Sequence, residues 1–185
     1  IWAAADAVRS ATDAAFVWGA HRDVTELRVG YVADAFAEGH RDDEEWDRAD
    51  AEALDQLRAL GVALRPIELP SMDVSPLSVI LNVEAASAFD SLTRSGDDDR
   101  LVSQSKHSWP NIFRYTRLVP AVEYVQATRL RTVAMREMAE TMADLDAYVV
   151  PTFVGKSSLL TNLTGHPSVC VPTGLRAKGT PMSLE

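Results

Sequence analysis

The sequence predicts an α/β fold, in which helices cover both faces of a sheet. Two observations lead to this prediction. The early part of the chain alternates strand, helix and strand, an order typical of a sheet with helices packed on it. Near the other end, an apolar run at residues 168–171 lies between Pro167 and Pro172. Because both faces of this run are apolar, it indicates a strand that is buried between two layers and ends at Pro172.

The first part of the chain supplies the strand–helix–strand unit. In chain order the sequence predicts a helix at 1–9, a loop at 10–23, a strand at 27–32, a turn at 34–43, a helix at 44–60 and a strand at 62–69. Acidic residues at 42–45 suit a helix N-terminus because they complement the helix dipole. Gly61 is a typical helix stop.

The second part of the chain begins with helices and ends with short strands. The sequence predicts helices at 76–93, 99–107, 111–117 and 120–145, a strand at 148–150, a short helix at 157–163 and strands at 168–171 and 179–184. Ser75 followed by Pro76 is typical of a helix start. Along the longest helix, Leu130, Ala134, Met138, Met142 and Leu145 recur at helical spacing. Such a stripe favours core packing over a cofactor site.

Four short motifs resemble, in order, the C-terminal part of the amidase signature family. They are LRVGYV at 27–32, DAYVVPT at 146–152, NLTGHPSVCVPTG at 162–174 and GTPMSL at 179–184. The resemblance extends from about Asp13 to Glu185. It implies an α/β/α layered mixed sheet of the amidase signature type, present as an incomplete portion. Residues 1–185 would then be the C-terminal part of a single amidase domain, with a helical insert at about 76–145.

The catalytic signature of that family has no counterpart in this sequence. Amidase signature enzymes cleave carbon–nitrogen amide bonds with a Ser–cis-Ser–Lys triad in a loop rich in glycine and serine. The lysines here, Lys106, Lys156 and Lys178, stand in no matching context. The resemblance therefore implies that the catalytic residues lie outside this chain and that the chain alone is inactive. Two alternatives are a non-catalytic binding or scaffolding module of the same fold and a protein similar to the A subunit of an amidotransferase.

Aromatic residues of the insert are candidates for lining a substrate pocket. Trp109, Phe113 and Tyr124 lie where an insert can wall a cleft above a sheet, although they fit a core equally well. Asn162 is a further candidate for substrate contact, but its amide is better suited to pinning the turn at Gly165. No cofactor or metal site is expected, because the histidines lack ligand spacing. His21 and His40 are expected to be solvated in loops.

Composition narrows the choice of partner. The chain has 185 residues, a formal net charge of −9 and a pI of about 4.9, so nucleic acid is not an expected partner. No apolar run approaches the roughly 20 residues of a membrane span, and no signal peptide is recognised, so a cytoplasmic protein is expected. Cys170 is the single cysteine and is expected to be buried. The expected partners are a small-molecule amide and the missing N-terminal part of the same enzyme, with a homodimer as an alternative way to cover open sheet edges.

Overall fold

The computed structural model describes residues 22–40 and 43–185, and the helix predicted at 1–9 lies outside these residues. The strands are β1 (Val29–Val32), β2 (Leu64–Ile67), β3 (Ala147–Val149), β4 (Val171–Leu175) and β5 (Pro181–Leu184). The helices are α1 (Ala33–Glu38), α2 (Glu44–Ala59), α3 (Ser78–Ala88), α4 (Asp90–Ser95), α5 (Trp109–Thr116), α6 (Ala121–Met142) and α7 (Ser157–Thr164). Short 3-10 helices occupy Val24–Glu26, Ser75–Leu77 and Asp97–Arg100.

The sheet confirms the predicted fold class. Three parallel strands lie in the order β2–β1–β3, and β4 pairs with β5 as an antiparallel hairpin. Backbone hydrogen bonds of 2.9 and 3.0 Å run in both directions between Val150 and Glu185, so the hairpin continues from the end of β3. The sheet is therefore mixed. Its parallel strands are joined through helices, as connections between parallel strands require.

The unit β1–α2–β2 forms as its sequence predicts. Asp43 begins α2 by accepting a hydrogen bond from the backbone N–H of Trp46 at 3.2 Å, which satisfies one of the free donors of the first turn. Gly61 follows the last turn with φ +86°, a conformation that glycine adopts without strain. Within β1, Gly30 leaves room for a neighbouring strand, since a Cβ there would approach Ile67 Cγ2 to 2.9 Å.

The main core lies among the helices that separate β2 from β3. Ala134 and Met138 of α6 are fully buried, and they pack with residues of α3 and α7. The cluster contains Val74, Leu77, Ile80, Ala127, Ala134, Met138, Leu160 and Leu163. The predicted core role of the methionine stripe is confirmed at Met138, whereas Leu130 at the start of the stripe is half exposed. The stripe turns away from the core there because an α-helix does not repeat every four residues.

Three local predictions are wrong. Residues 33–38 form α1 where a turn was predicted, because an alanine-rich segment made of good helix formers follows β1 directly. The helix predicted at 99–107 is absent. Asp97–Arg100 is a 3-10 helix, and Pro110 lies in the first turn of α5 rather than interrupting a helix. The helix predicted at 76–93 is divided at Phe89, and Ser75 makes no side-chain cap.

The buried strand predicted at 168–171 is also a wrong prediction. The structure begins β4 at Val171 and continues it through Pro172, and Cys170 is exposed. Val169, Val171 and Leu175 are 71%, 57% and 70% exposed. β4 pairs only with β5, so Pro172 lies in an edge strand, where its missing N–H is tolerated. Among the described residues no layer covers this strand, and its apolar side chains face solvent.

An ion pair fastens the start of β1 to the start of β3. Arg28 Nε and the Arg28 backbone N–H donate to Asp146 Oδ2 at 3.0 and 2.9 Å, and Arg28 Nη2 donates to Oδ1 at 3.2 Å. These hydrogen bonds favour the ionised carboxylate and hold the pKa of Asp146 well below its ordinary value.

Because of this ion pair, we expect the free energy of unfolding to fall in acid. Because the folded pKa of Asp146 is depressed, its stabilising contribution is present above the unfolded pKa of about 3.9 and disappears as pH falls below it. In urea unfolding between pH 7 and pH 3, Asp146→Asn should lower the midpoint at pH 7 and lose less stability in acid than the parent. Asp144→Asn is the matched control, since that carboxylate makes no hydrogen bond in the described structure. An unchanged acid profile in Asp146→Asn would contradict the assignment.

Within the residues described, no helix combines the length and the apolar character needed to cross a membrane.

Candidate functional site

The carboxyl ends of the three parallel strands meet at one edge of the sheet, and a cavity of about 590 Å³ lies there. Val32 ends β1, Glu68 and Leu69 follow β2, and Val150 follows β3, and all four residues line the cavity. In open α/β sheets, ligands bind in the crevice outside the carboxyl ends of the strands. This cavity is therefore the candidate functional site.

The cavity has an apolar floor and a polar rim. Val32, Ala35, Val150 and Val154 form a buried cluster at its base. The remaining lining residues are Asp34, Glu38, Glu68, Leu69, Ser71, Ser75, Gly155 and Lys156. The carboxylates of Asp34 and Glu68 and the ammonium group of Lys156 therefore lie around the opening, with negative charge in excess. A site of this kind can accept an apolar group at its base and favours neutral or cationic polar groups at its rim.

Lys156 joins two loops at the wall of the cavity. Its ammonium group donates to the backbone carbonyl of Pro70 and lies 3.5 Å from that of Met72. The loop after β2 is thereby tied to the loop after β3. The lysine is thus engaged with backbone oxygens.

The loop after β3 has unusual backbone geometry. Phe153 has φ +67° and a side chain that is 82% exposed, and Gly155 has φ +65°. A bulky residue with positive φ is rare, and such strain tends to occur at ligand sites and switches. Thr152 anchors the start of the loop by accepting a hydrogen bond from the Ser183 hydroxyl at 3.2 Å. The aromatic ring is therefore presented to solvent from a backbone that is fixed on both sides.

A second cavity of about 420 Å³ adjoins the first and shares Glu38, Val154 and Gly155 with it. Trp46 lies in its wall between His40, whose ring centroid is 4.4 Å away, and the guanidinium of Arg176 at 4.7 Å. Arg176 pairs with Asp43 at 2.5 Å. This stack connects the loop before α2 to the end of β4.

His40 is not solvated as predicted, because its side chain is only 11% exposed and its Nε2 lies 3.0 Å from Asp50 Oδ2. Burial raises the pKa of Asp50 to about 6 against the opposing effect of His40. His21 lies outside the described residues.

The four residues proposed from the sequence lie elsewhere. Trp109 is half exposed and stacks on Phe113, which is 3% exposed and stacks in turn on the half-exposed Phe89. Tyr124 packs beside the main core and donates to Glu84 Oε1 at 3.0 Å, a hydrogen bond that raises the pKa of the tyrosine. Asn162 is exposed and donates to the Ser158 carbonyl at 2.7 Å within its own helix. None of the four lines the cavities described here, and their role in substrate binding stays a prediction.

The residues that line the strand-end cavity were missed by the sequence analysis. A usable signal existed, because the strand–helix–strand order already predicted parallel strands. The residues that follow those strands closely, such as Asp34, Glu68 and Val150, then become the candidates. Local patterns alone give them no distinguishing feature.

The described residues contain no serine paired with a lysine or a histidine. In residues 22–40 and 43–185, no hydrogen bond joins a serine hydroxyl to a lysine or histidine nitrogen. Ser157 is buried and bonded to the Tyr148 hydroxyl at 2.9 Å, and Ser168 donates to Glu185 at 2.7 Å. His166 Nδ1 lies 2.8 Å from the Thr164 hydroxyl. Serine attack on an amide needs a base beside the hydroxyl, and neither of these serines has a lysine or a histidine in that position.

A shallow apolar groove of about 500 Å³ runs along the exposed flank of the sheet between β3 and β4. Its lining includes Met142, Tyr148, Val149, Pro167, Val169 and Val171. With the exposed face of β4, it forms a continuous apolar surface, which we call the β4 flank. Exposed apolar surface of this kind is typical of protein interfaces and of ligand-binding grooves.

Comparison with known proteins gives consistent matches. A family model described as Amidase matches residues 2–161. A curated amidase from Pseudomonas putida is 30% identical over 135 residues, which are 72% of this chain and 28% of that protein. A crystal structure of an amidase is 20% identical with a TM-score of 0.65, over 85% of this chain and 41% of that one.

Two further solved structures share the fold. A bacterial aryl acylamidase of the amidase signature family is 15% identical with a TM-score of 0.64, over 89% of this chain and 40% of its own. The A subunit of glutamyl-tRNA(Gln) amidotransferase from Thermotoga maritima is 19% identical with a TM-score of 0.53, over 91% of this chain and 40% of its own. At these identities the structural likeness shows the fold alone. The chain thus spans well under half the length of the relatives that it matches.

Proposed function

This chain belongs to the amidase family, and we propose that it supplies one wall of the substrate pocket of an enzyme that hydrolyses carbon–nitrogen amide bonds. The nucleophilic serine and its lysine lie, in this proposal, in a part of the enzyme outside this chain. The observation that carries the proposal is the cavity at the carboxyl ends of β1, β2 and β3. It has the size and the apolar floor of a small-molecule site, and no serine of the described residues is hydrogen-bonded there to a lysine or a histidine.

The chemistry divides between the two parts. The wall formed here would bind and orient the substrate, with the acyl group on the apolar floor at Val32 and Val150. Holding the amide in place lowers the entropic part of the barrier. The outside part would supply the attacking hydroxyl, its base and the donors that stabilise the oxyanion. An acyl-enzyme intermediate would form on that part and be released by water.

The rim supports a preference among amides. Asp34 and Glu68 place negative charge at the opening, and Lys156 offsets only one of these two carboxylates. A substrate with its own carboxylate near the amide would be repelled, whereas neutral or cationic amides would not. The preferred substrate is therefore an amide with an apolar acyl group and no nearby negative charge.

The β4 flank supports the placement of the missing part. Val169, Val171 and Leu175 are more than half exposed, and one edge of β4 pairs with no strand of residues 22–40 and 43–185. The matched relatives are more than twice as long as this chain, so they contain ample polypeptide to cover such a surface. In the proposal, the catalytic part packs against this flank. A second copy of the chain is the alternative occupant.

The test fills the cavity without touching the core. In an active amidase polypeptide that contains this chain, Ser71→Trp places an indole at the rim, where Ser71 is exposed. We expect KM for amides with large acyl groups to rise about tenfold or more, because a pocket discriminates by roughly that factor for each clash of one or two methylenes. Amides with small acyl groups should be affected less, and kcat should change little.

The matched control is Ser91→Trp, which puts the same side chain on the exposed surface of α4. If both variants are folded by circular dichroism and have the same KM and kcat, the strand-end cavity does not bind the substrate.

A further inference from the structure

The loop before α2 and the helix α2 together hold a cluster of side chains that can coordinate a metal ion. The proposed amide hydrolysis does not use them. His40, Asp47 and Asp50 each place one potential ligand atom within 4.8 Å of the others. Asp47 and Asp50 are one helical turn apart on α2, so their side chains share a face of that helix. His40 reaches the same face from the preceding loop.

The cluster is held in place by the backbone as well as by the side chains. The His40 backbone N–H donates to Asp47 Oδ1 at 2.6 Å. Gly39 has φ +62°, and a Cβ at that position would lie 2.8 Å from Asp47 Oδ1. Only glycine therefore lets the loop approach the Asp47 carboxylate this closely. His40 is further fixed by its stack on Trp46.

Asp50 supplies the observation that points to a ligand. It is only 3% exposed, its Oδ2 lies 3.0 Å from His40 Nε2, and its Oδ1 has no hydrogen-bond partner among the described residues. An ionised oxygen buried without a partner is costly, and proteins satisfy such groups with a hydrogen bond, a proton or a cation. Asp47 adds a second negative charge beside Asp50. An uncharged His40 ring neutralises neither carboxylate.

The distances suit a metal ion. Zinc–nitrogen and zinc–oxygen bonds are about 2.0–2.2 Å, so two ligands of one ion lie roughly 3–4 Å apart. The 3.0 Å separation of His40 Nε2 and Asp50 Oδ2 falls in this range. One imidazole nitrogen with carboxylate oxygens is a donor set of first-row transition ions, since magnesium and calcium prefer oxygen ligands alone.

We propose that His40, Asp47 and Asp50 bind a divalent transition-metal ion of the zinc type, with water in the remaining coordination positions. The ion fastens the loop between α1 and α2 to α2. Because His40 also lines the cavity beside Phe153, the ion stabilises one wall of that cavity. The site does not depend on the amide reaction, and its test needs no turnover.

The test is a calorimetric titration of Zn²⁺ into chelator-treated protein without a polyhistidine tag. Cys170 is an exposed thiol and could bind zinc by itself, so all proteins carry Cys170→Ser. We expect one ion per chain. His40→Ala and Asp47→Asn should each weaken zinc binding at least tenfold. Loss of a residue that only supports a metal ligand typically weakens affinity about 10–100-fold, and loss of the ligand itself should cost at least as much. Co²⁺ should give visible absorption bands that disappear in both variants.

Controls separate this site from general zinc affinity. His107→Ala removes an exposed histidine elsewhere, and Asp55→Asn removes an exposed carboxylate of the same helix. Both should bind as the parent does. The zinc affinity of Asp50→Asn is interpreted only if that variant still unfolds cooperatively. If it does not, Asp47→Asn still decides the test, because Asp47 is exposed and its substitution should not disturb the fold. No binding in the parent, or equal binding in His40→Ala and the parent, overturns the proposal.

Discussion

Met138→Ala is expected to lower the free energy of unfolding by about 2–5 kcal/mol, the range found for large-to-small substitutions in well-packed cores. Met138 is fully buried in the cluster that joins α3, α6 and α7. Truncation removes its apolar contacts and leaves a cavity that the surrounding helices fill only in part. Urea denaturation followed by circular dichroism measures the change through the unfolding midpoint.

Met135→Ala provides the matched control on the same helix. Met135 is 44% exposed, so the same chemical change removes far less buried surface and should cost well under half as much. Similar midpoints for the two variants would mean that α6 presents a different face to the core from the one described here.

The isolated 185-residue chain is expected to show no amide hydrolysis above the uncatalysed rate. Loss of a serine nucleophile and its base lowers turnover on the order of 10⁶-fold, and the described residues hold no serine paired with a lysine or a histidine. Assays with an aryl amide that releases a coloured amine would detect far smaller activities. The chain should instead associate or aggregate through the β4 flank, where Val169 and Val171 are exposed.

A two-part experiment serves as the control for inactivity. The catalytic part of the enzyme, expressed separately and mixed with this chain, should restore turnover if the flank is the docking surface. Val171→Asp on the exposed face of β4 should prevent that restoration without unfolding the chain, since the side chain already faces solvent. Turnover by the chain alone, at a rate above that of a heat-denatured sample, would contradict the proposal.

The fold was predictable wherever local sequence and tertiary packing agree. The acidic residues at 42–45 and the stop at Gly61 favour the same helix, and the structure has it. The exposure of β4 was not predictable from the sequence. An apolar run indicates that a strand is covered by another layer, but it does not indicate which polypeptide forms that layer. The helix α1 was missed because six residues give too short a pattern for a hydrophobic period to appear.

The candidate site was harder to predict for a different reason. Its walls come from Val32, Leu69 and Val150, which are far apart in the chain and meet only when three strands align. Trp109 and Phe113 attracted attention because aromatic residues are common in pockets, yet stacking of Phe113 on Phe89 serves the helical core. The contact of His40 with Asp50 depends on the turn at Gly39, whose consequence appears only in three dimensions.

The most direct test of the division between pocket wall and catalytic part is covalent labelling of the active amidase with a fluorophosphonate, followed by mass spectrometry of its peptides. This reagent reacts with a serine only where a neighbouring base activates the hydroxyl. We expect a single labelled serine outside residues 1–185 and no adduct on the isolated chain. Labelling of a serine within this chain, such as Ser157 or Ser168, would contradict the proposed division.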